Sequence, residues 1–322
     1  MAETHEHWQN REAAYTQQAL MEKLFDVVMR SSAVVLPAGI AAALWQATAG
    51  HTVGMAIGLA FAAGGAVGCY ARFVQPFWLR VKRLDVHAAS RHAPAHSPLK
   101  LIFFSDLHVG HFKGSEWVRK VVALVNAQQP DVVLIGGDLV SYVDPALVPD
   151  MLAPLKQLAA RLGVYAVFGN HDYGLPGHDH TIELQKILAS VNVRLLRNEC
   201  VMLDERMQVI GIDELWSNKF DAERAFSACE GEELPRVVVG HNPDLMQKIT
   251  RQADLFLFGH THGGQILVPG LMKHFVPIEG PIFRGMHRLP QGLVYISNGC
   301  GESATPTRLG TTVEIVAITF YC

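Results

Sequence analysis

Residues 255–265 read Leu-Phe-Leu-Phe-Gly-His-Thr-His-Gly-Gly-Gln, four apolar residues that run directly into two histidines in a glycine-flanked turn. A short apolar run bounded by glycine predicts a buried strand. His260 and His262, two positions apart on an extended turn, can project to one side and chelate a single ion. Four other strings share this grammar: Ser105-Asp106-Leu107-His108, Gly136-Gly137-Asp138, Gly169-Asn170-His171-Asp172 and Gly240-His241-Asn242. Each follows an apolar run. Taken singly, a D-x-H is usually a solvated turn and a strand-end histidine a hydrogen-bonded one. Five such strings in series point instead to one site, because ligands of α/β sheets gather where strands end and loops begin.

The runs themselves predict strands at Leu101–Phe104, Val132–Ile135, Val164–Phe168, Val209–Ile212, Val237–Val239, Leu255–Phe258, Leu293–Ile296 and Val313–Ile318. Helical patterns fall at Ser115–Asn126, Ala146–Leu162, Thr181–Val191 and Asp221–Cys229. The later strands come without long intervening helices, so the expectation is an α/β domain with mixed rather than purely parallel sheets. Carboxylate, imidazole and amide oxygen together suit Mn²⁺, Fe²⁺, Zn²⁺ or Mg²⁺, and the lack of thiolate in the strings disfavours a closed structural zinc site.

The order D-x-H, G-D, G-N-H-D, G-H, G-H-x-H resembles the calcineurin-like metallophosphoesterase superfamily over roughly Leu101 to Ile318. The resemblance implies two mixed β-sheets in a sandwich flanked by helices. It also implies a dinuclear metal centre with a bridging hydroxide: Asp106, His108 and His262 on one ion, Asn170, His241 and His260 on the other, and Asp138 between them. His171 matches the family's non-ligand histidine beside the substrate, and Mn²⁺ is the ion expected first. Asp172 is open to two readings, orienting His171 or capping the next helix. Tyr142 lies one position too far from Asp138 for the tyrosine ligand of purple acid phosphatases, so a tyrosinate-iron site is not expected. The Gly263-Gly264-Gln265 extension and the Pro306-x-Arg308 string resemble a bacterial, membrane-associated branch. Some of its members hydrolyse the pyrophosphate of UDP-2,3-diacylglucosamine and others lipid phosphoesters. Arg308 reads either as a contact to substrate phosphate or as a surface arginine beside a strand.

Outside this region, residues 1–87 read as an amphipathic helix followed by an apolar hairpin, 88–98 as a linker and 99–322 as the catalytic domain. Ala33–Ala49 and Val53–Tyr70 are almost free of charge and long enough to cross a bilayer. Two buried core helices of a soluble protein, or a cleaved signal peptide ending at Ala47-Thr48-Ala49, are the alternatives. The long charged stretch before the first run and the presence of a second run speak against the signal peptide. Arg30, Arg72, Arg80, Lys82 and Arg83 flank the runs, and the Gly50-His51-Thr52 connection holds no Lys or Arg. This pattern places both ends, and the catalytic domain, on the cytoplasmic side of the inner membrane. Membrane lipids and a lipid-linked or nucleotide-linked phosphate are the expected partners. A soluble substrate is the second enzyme reading, and a non-catalytic scaffold would have lost ligands. A net charge of −3 disfavours nucleic acid. The five scattered cysteines argue against a disulfide framework and for a reducing compartment.

Overall fold

The computed structural model describes residues 2–88, 97–229, 234–267 and 276–322. Helix α1 (Ala2–Thr48) and helix α2 (Thr52–Cys69) form an antiparallel hairpin. The expected boundary between an amphipathic helix and the first apolar run does not exist. Ser31 and Ser32 donate their hydroxyls to the carbonyls of Val28 and Met29, both at 2.6 Å, so the helix absorbs them without a break. Side chains before Leu20 lie outside the described residues. Small residues set the helix contact: a Cβ on Gly58 would stand 2.6 Å from the Ala43 nitrogen, and one on Gly39 would stand 2.5 Å from the Ala62 nitrogen. Such close backbone approach is typical of helix pairs that associate in lipid. Lys23–Thr48 and Thr52–Phe77 are each long and apolar enough to span a membrane, and only 17% of each apolar window is buried. A core helix of a soluble protein would be mostly buried, so the hairpin fits membrane association.

The chain continues through β1 (Leu79–His87), β2 (Leu99–Phe104), β3 (Val109–Gly110), α3 (Ser115–Ala127), β4 (Val132–Gly136) and β5 (Val140–Ser141). Next come α4 (Val148–Leu152), β6 (Val164–Val167), α5 (Thr181–Ser190), β7 (Arg194–Leu195), β8 (Glu199–Leu203) and β9 (Met207–Gly211). The last elements are α6 (Ala222–Ser227), β10 (Arg236–Val239), β11 (Leu255–Phe258), β12 (Gly285–Leu289), β13 (Gly292–Ile296) and β14 (Val313–Tyr321). Two six-stranded mixed sheets result, in the orders β1-β14-β2-β4-β6-β7 and β12-β13-β11-β10-β9-β8. Strand periodicity sorts their side chains. Leu101, Phe103, Val132 and Leu134 of the first sheet meet Val237, Val239, Leu255 and Leu257 of the second in one core. The alternate residues Ile102, Phe104, Val133 and Ile135 turn outward to α3, while Val238, Phe256 and Phe258 turn outward to α6. This is the calcineurin-like phosphoesterase fold, a sandwich covered by helices.

Four expectations need correction. The domain boundary at 87 falls too late, because β1 pairs in parallel with β14 from Leu79↔Val313 to His87↔Tyr321. Arg80, Lys82 and Arg83 are therefore residues of a sheet edge, where charge deters pairing with other chains. The linker at 88–98 lies for the most part outside the described residues. The long helix at Ala146–Leu162 is broken into 3₁₀ turns around α4, since Pro149 and Pro154 cannot supply the amide hydrogens a continuous helix needs. Cys200 and Cys229 form a disulfide with Cα atoms 5.8 Å apart, a pairing that their spacing of 29 residues does not betray. Arg72, read as a cation flanking the second apolar run, is buried and pairs with Asp26 of α1 at 2.6 Å.

The hairpin leaves the membrane region firmly attached to the catalytic domain. Gln75 donates to the Thr311 carbonyl at 2.6 Å, the Arg308 amide donates to the Ala71 carbonyl at 3.0 Å, and Lys113 donates to the Pro76 carbonyl at 2.8 Å. These bonds join residues 71–76 to the loop that follows β13 and to the segment between β3 and α3.

Candidate active site

All five strings lie just past the C-terminal ends of β2, β4, β6, β10 and β11, and the two sheets bring them together. Asp106, His108, Asp138, His260 and His262 have φ between 44° and 70°, the left-handed region that side chains with a Cβ seldom enter. Such backbone persists only where the surroundings over-determine it, and it clusters at functional sites.

Side-chain hydrogen bonds then aim one lone pair of most groups inward. His241 bonds the Gly136 carbonyl through Nδ1 at 2.8 Å, leaving Nε2 to face Asn170 Oδ1 at 3.1 Å and Asp138 Oδ2 at 3.2 Å. His262 bonds the Gly301 carbonyl through Nδ1, and its Nε2 stands 3.1 Å from His108 Nε2. His260 bonds the Pro277 carbonyl through Nε2, so its Nδ1 faces His241 at 3.2 Å. Asn170 donates Nδ2–H to the Leu175 carbonyl at 2.7 Å, which fixes the amide with its oxygen turned to the site. Asp138 Oδ2 also lies 3.4 Å from His108 Nε2, while Oδ1 accepts from the His171 amide at 2.8 Å.

Charge follows geometry. Burial pushes His108 and His262 well below the usual histidine range and His260 to about 3, so their imidazoles are neutral with lone pairs available. His241 goes the other way: burial lowers it, but Asp138 and then Asp106 outweigh that and raise it to about 10. The carboxylates therefore call for positive charge between Asp138 and His241. Asp172 neither orients His171 nor caps a helix. Its carboxylate accepts from the amides of Leu139 and Gly169, both at 2.9 Å, and so ties two site loops together.

A model of the calcineurin-like phosphoesterase family matches residues 99–264, more than half of the chain. The chain belongs to this family. It is 29% identical to phosphodiesterase YaeI of Escherichia coli, over 72% of this chain and 85% of that one. Against the bovine (Bos taurus) transmembrane protein with metallophosphoesterase domain the figures are 31%, 76% and 57%. Against the UDP-2,3-diacylglucosamine pyrophosphatase LpxG of Chlamydia trachomatis they are 25%, 72% and 86%. The chain is thus a metallophosphoesterase, a hydrolase of phosphoester bonds.

The metallophosphoesterase fold implies divalent metal ions, and the donor set fits them. Three groupings bring ligand atoms within 4.8 Å of one another: Asp106–His108–His262, Asp138–His241–His260 and His108–Asp138–His171. Imidazole nitrogens 3.1–3.2 Å apart, as in the His108–His262 and His241–His260 pairs, have the spacing of two donors that each lie about 2.0–2.1 Å from a shared ion. The third grouping includes His171, whose ring also packs edge-on against His108 and Tyr142.

Several residues of this phosphoesterase site carry no motif. The cavity over the histidines measures 590 Å³, and its walls include Phe25 of α1, Leu175, Trp216 and Ile266. Trp216 meets His260 edge-on at 4.6 Å. Gln265 of the Gly-Gly-Gln extension donates to the Ser303 and Thr305 carbonyls at 3.0 and 2.9 Å, holding the 303–305 loop against the cavity. Arg308 is fully buried, which overturns both earlier readings of it. It donates to the carbonyls of Asn298 and Gly301 and pairs with Glu302, which also pairs with buried Lys113. Arg308 thereby positions the loop whose Gly301 carbonyl orients His262. Only the Pro306-x-Arg308 string could have hinted at this role.

Proposed function

We propose that the protein is a membrane-bound phosphodiesterase or pyrophosphatase of a lipid-linked phosphate, of the kind found in UDP-2,3-diacylglucosamine or a phospholipid. The observation that carries this reading is the shared cavity: its floor is the histidine and carboxylate cluster, and one of its walls is Phe25 of the membrane-type helix α1. The name of the Chlamydia relative, a pyrophosphatase of a lipid-linked nucleotide, supports the same substrate class.

In this reading Asp106, His108 and His262 would hold one divalent ion, Asn170, His241 and His260 would hold a second, and Asp138 would serve both. Mn²⁺ is the ion expected first. Divalent ions held there would supply Lewis-acid charge to the oxygens on the reacting phosphorus. His171 stays off the metals and donates a hydrogen bond to a phosphoryl or leaving oxygen. The buried hydrogen bonds from His241, His262 and Asn170 to backbone carbonyls hold the donors in their tautomers and orientations. The test is a panel of phospholipids, UDP-2,3-diacylglucosamine, cyclic nucleotides and bis(4-nitrophenyl) phosphate offered to Mn²⁺-loaded full-length protein in mixed micelles. Hydrolysis of a lipid-linked member at the highest kcat/KM, abolished by EDTA, is expected. Preference for a soluble member would sink the lipid reading.

The cations that flank the two spans support a cytoplasmic catalytic domain. The Cys200–Cys229 disulfide pulls in the opposite direction, since such bonds persist mainly in oxidising compartments. The cation pattern governs insertion itself. A C-terminal alkaline phosphatase fusion should therefore be inactive and a green fluorescent protein fusion bright. An active phosphatase fusion would reverse the topology.

A further inference from the structure

Phe25 is half-buried on α1, one residue before Asp26, whose carboxylate is held by Arg72 at 2.6 Å. Arg72 in turn lies over the Phe112 ring, and the neighbouring Ala71 carbonyl accepts from Arg308. The position of Phe25 at the cavity wall is therefore tied to the catalytic domain through the Asp26–Arg72 pair and the neighbouring Ala71–Arg308 bond. Beside it Leu20, Leu24, Val27 and Val28 are exposed along the same stretch of α1, which passes without a break into the first membrane span. Leu175, Pro176 and Ile266 line the same cavity as Phe25, together with His171, His260 and His262. A cavity of 590 Å³ falls within the ~300–1,000 Å³ of sites that enclose a small ligand, so it can take a phosphate and part of a chain but not a whole diacyl lipid.

We propose that Phe25, Leu175, Pro176 and Ile266 form an acyl-chain subsite of the catalytic cavity, entered from the bilayer along α1. The occupant is the proximal part of an acyl chain on a phosphate-bearing membrane lipid, with the remainder still in the bilayer. This rests on the lipid-linked reading above and makes it specific: α1 belongs to the binding site as well as to the anchor. Apolar contact next to the reacting phosphate then selects amphipathic over soluble esters.

Two measurements on the full-length chain in dodecyl maltoside test this. Phe25→Ala should lower the ratio of kcat/KM on a long-chain lipid phosphodiester to that on bis(4-nitrophenyl) phosphate about tenfold, mainly through KM, and Phe25→Leu should restore most of it. Separately, benzoylphenylalanine at position 25 should photo-crosslink a dioleoyl phosphodiester saturably and in excess over neutral diacylglycerol. The same probe at Val34, exposed within the span, should follow the mole fractions of the two lipids. An unchanged kcat/KM ratio with active lipid hydrolysis, or equal lipid preference at positions 25 and 34, overturns the subsite alone. Turnover of the soluble diester with none of any lipid ester overturns the lipid-linked reading itself.

Discussion

Asp138→Asn is expected to lower kcat/KM by at least about 10³-fold and to strip divalent metal from the purified protein. The asparagine can keep the bond that Oδ1 accepts from the His171 amide, so the backbone of the site should survive. What changes is Oδ2, the atom 3.2 Å from His241 Nε2 and 3.4 Å from His108 Nε2, one histidine from each proposed ligand set. An amide removes the negative charge between the sets, and it can turn an N–H group toward imidazole lone pairs. Stabilisation by bound metal is worth several kcal/mol, and each 1.4 kcal/mol is a factor of ten in rate, which sets the size of the loss. Elemental analysis should find both ions depleted. Full metal content with more than a tenth of wild-type activity would show that metal binding does not depend on the Asp138 carboxylate.

The parts of this molecule that were legible in its sequence are those whose signal is local. Strand pairs such as Leu101/Phe103 against Ile102/Phe104 announce themselves by alternation, and the site strings stand where those strands end. The seven candidate ligands and His171 do come together, drawn from five loops between residues 106 and 262. Strand β1 was hidden because Arg80, Lys82 and Arg83 read as membrane-flanking cations. Only its pairing with β14, more than 230 residues away, reveals it as a strand. A truncation at Pro98, the boundary the sequence suggests, would strip that edge from the sheet. A loss of activity after such a cut would not report on the membrane. Phe25, Trp216 and Arg308 were illegible for a related reason. An aromatic residue on an apolar helix and a lone arginine after a loop acquire roles only through tertiary packing against residues distant in sequence.

His171→Ala should separate hydrogen-bond donation from metal binding. The backbone amide of residue 171, not its ring, bonds Asp138, so alanine leaves the placement of that carboxylate intact. Metal content is expected to remain at the wild-type level while kcat falls about 10²–10⁴-fold, the range for loss of a positioned acid or donor. Burial lowers His171 from the ordinary histidine value, which makes it neutral at pH 7 with a single N–H to give. A neutral donor matters most when the leaving oxygen develops full charge. The loss should therefore be largest for alkyl leaving groups and smallest for 4-nitrophenolate. The competing outcome is set by the grouping of His171 with His108 and Asp138, whose ligand atoms approach within 4.8 Å. Were His171 a ligand, the alanine variant would lose one ion per chain, the rate loss would be the same for every leaving group, and excess Mn²⁺ would recover activity. Metal analysis of the variant beside a leaving-group series on the same preparation decides between a hydrogen-bond donor and a ligand.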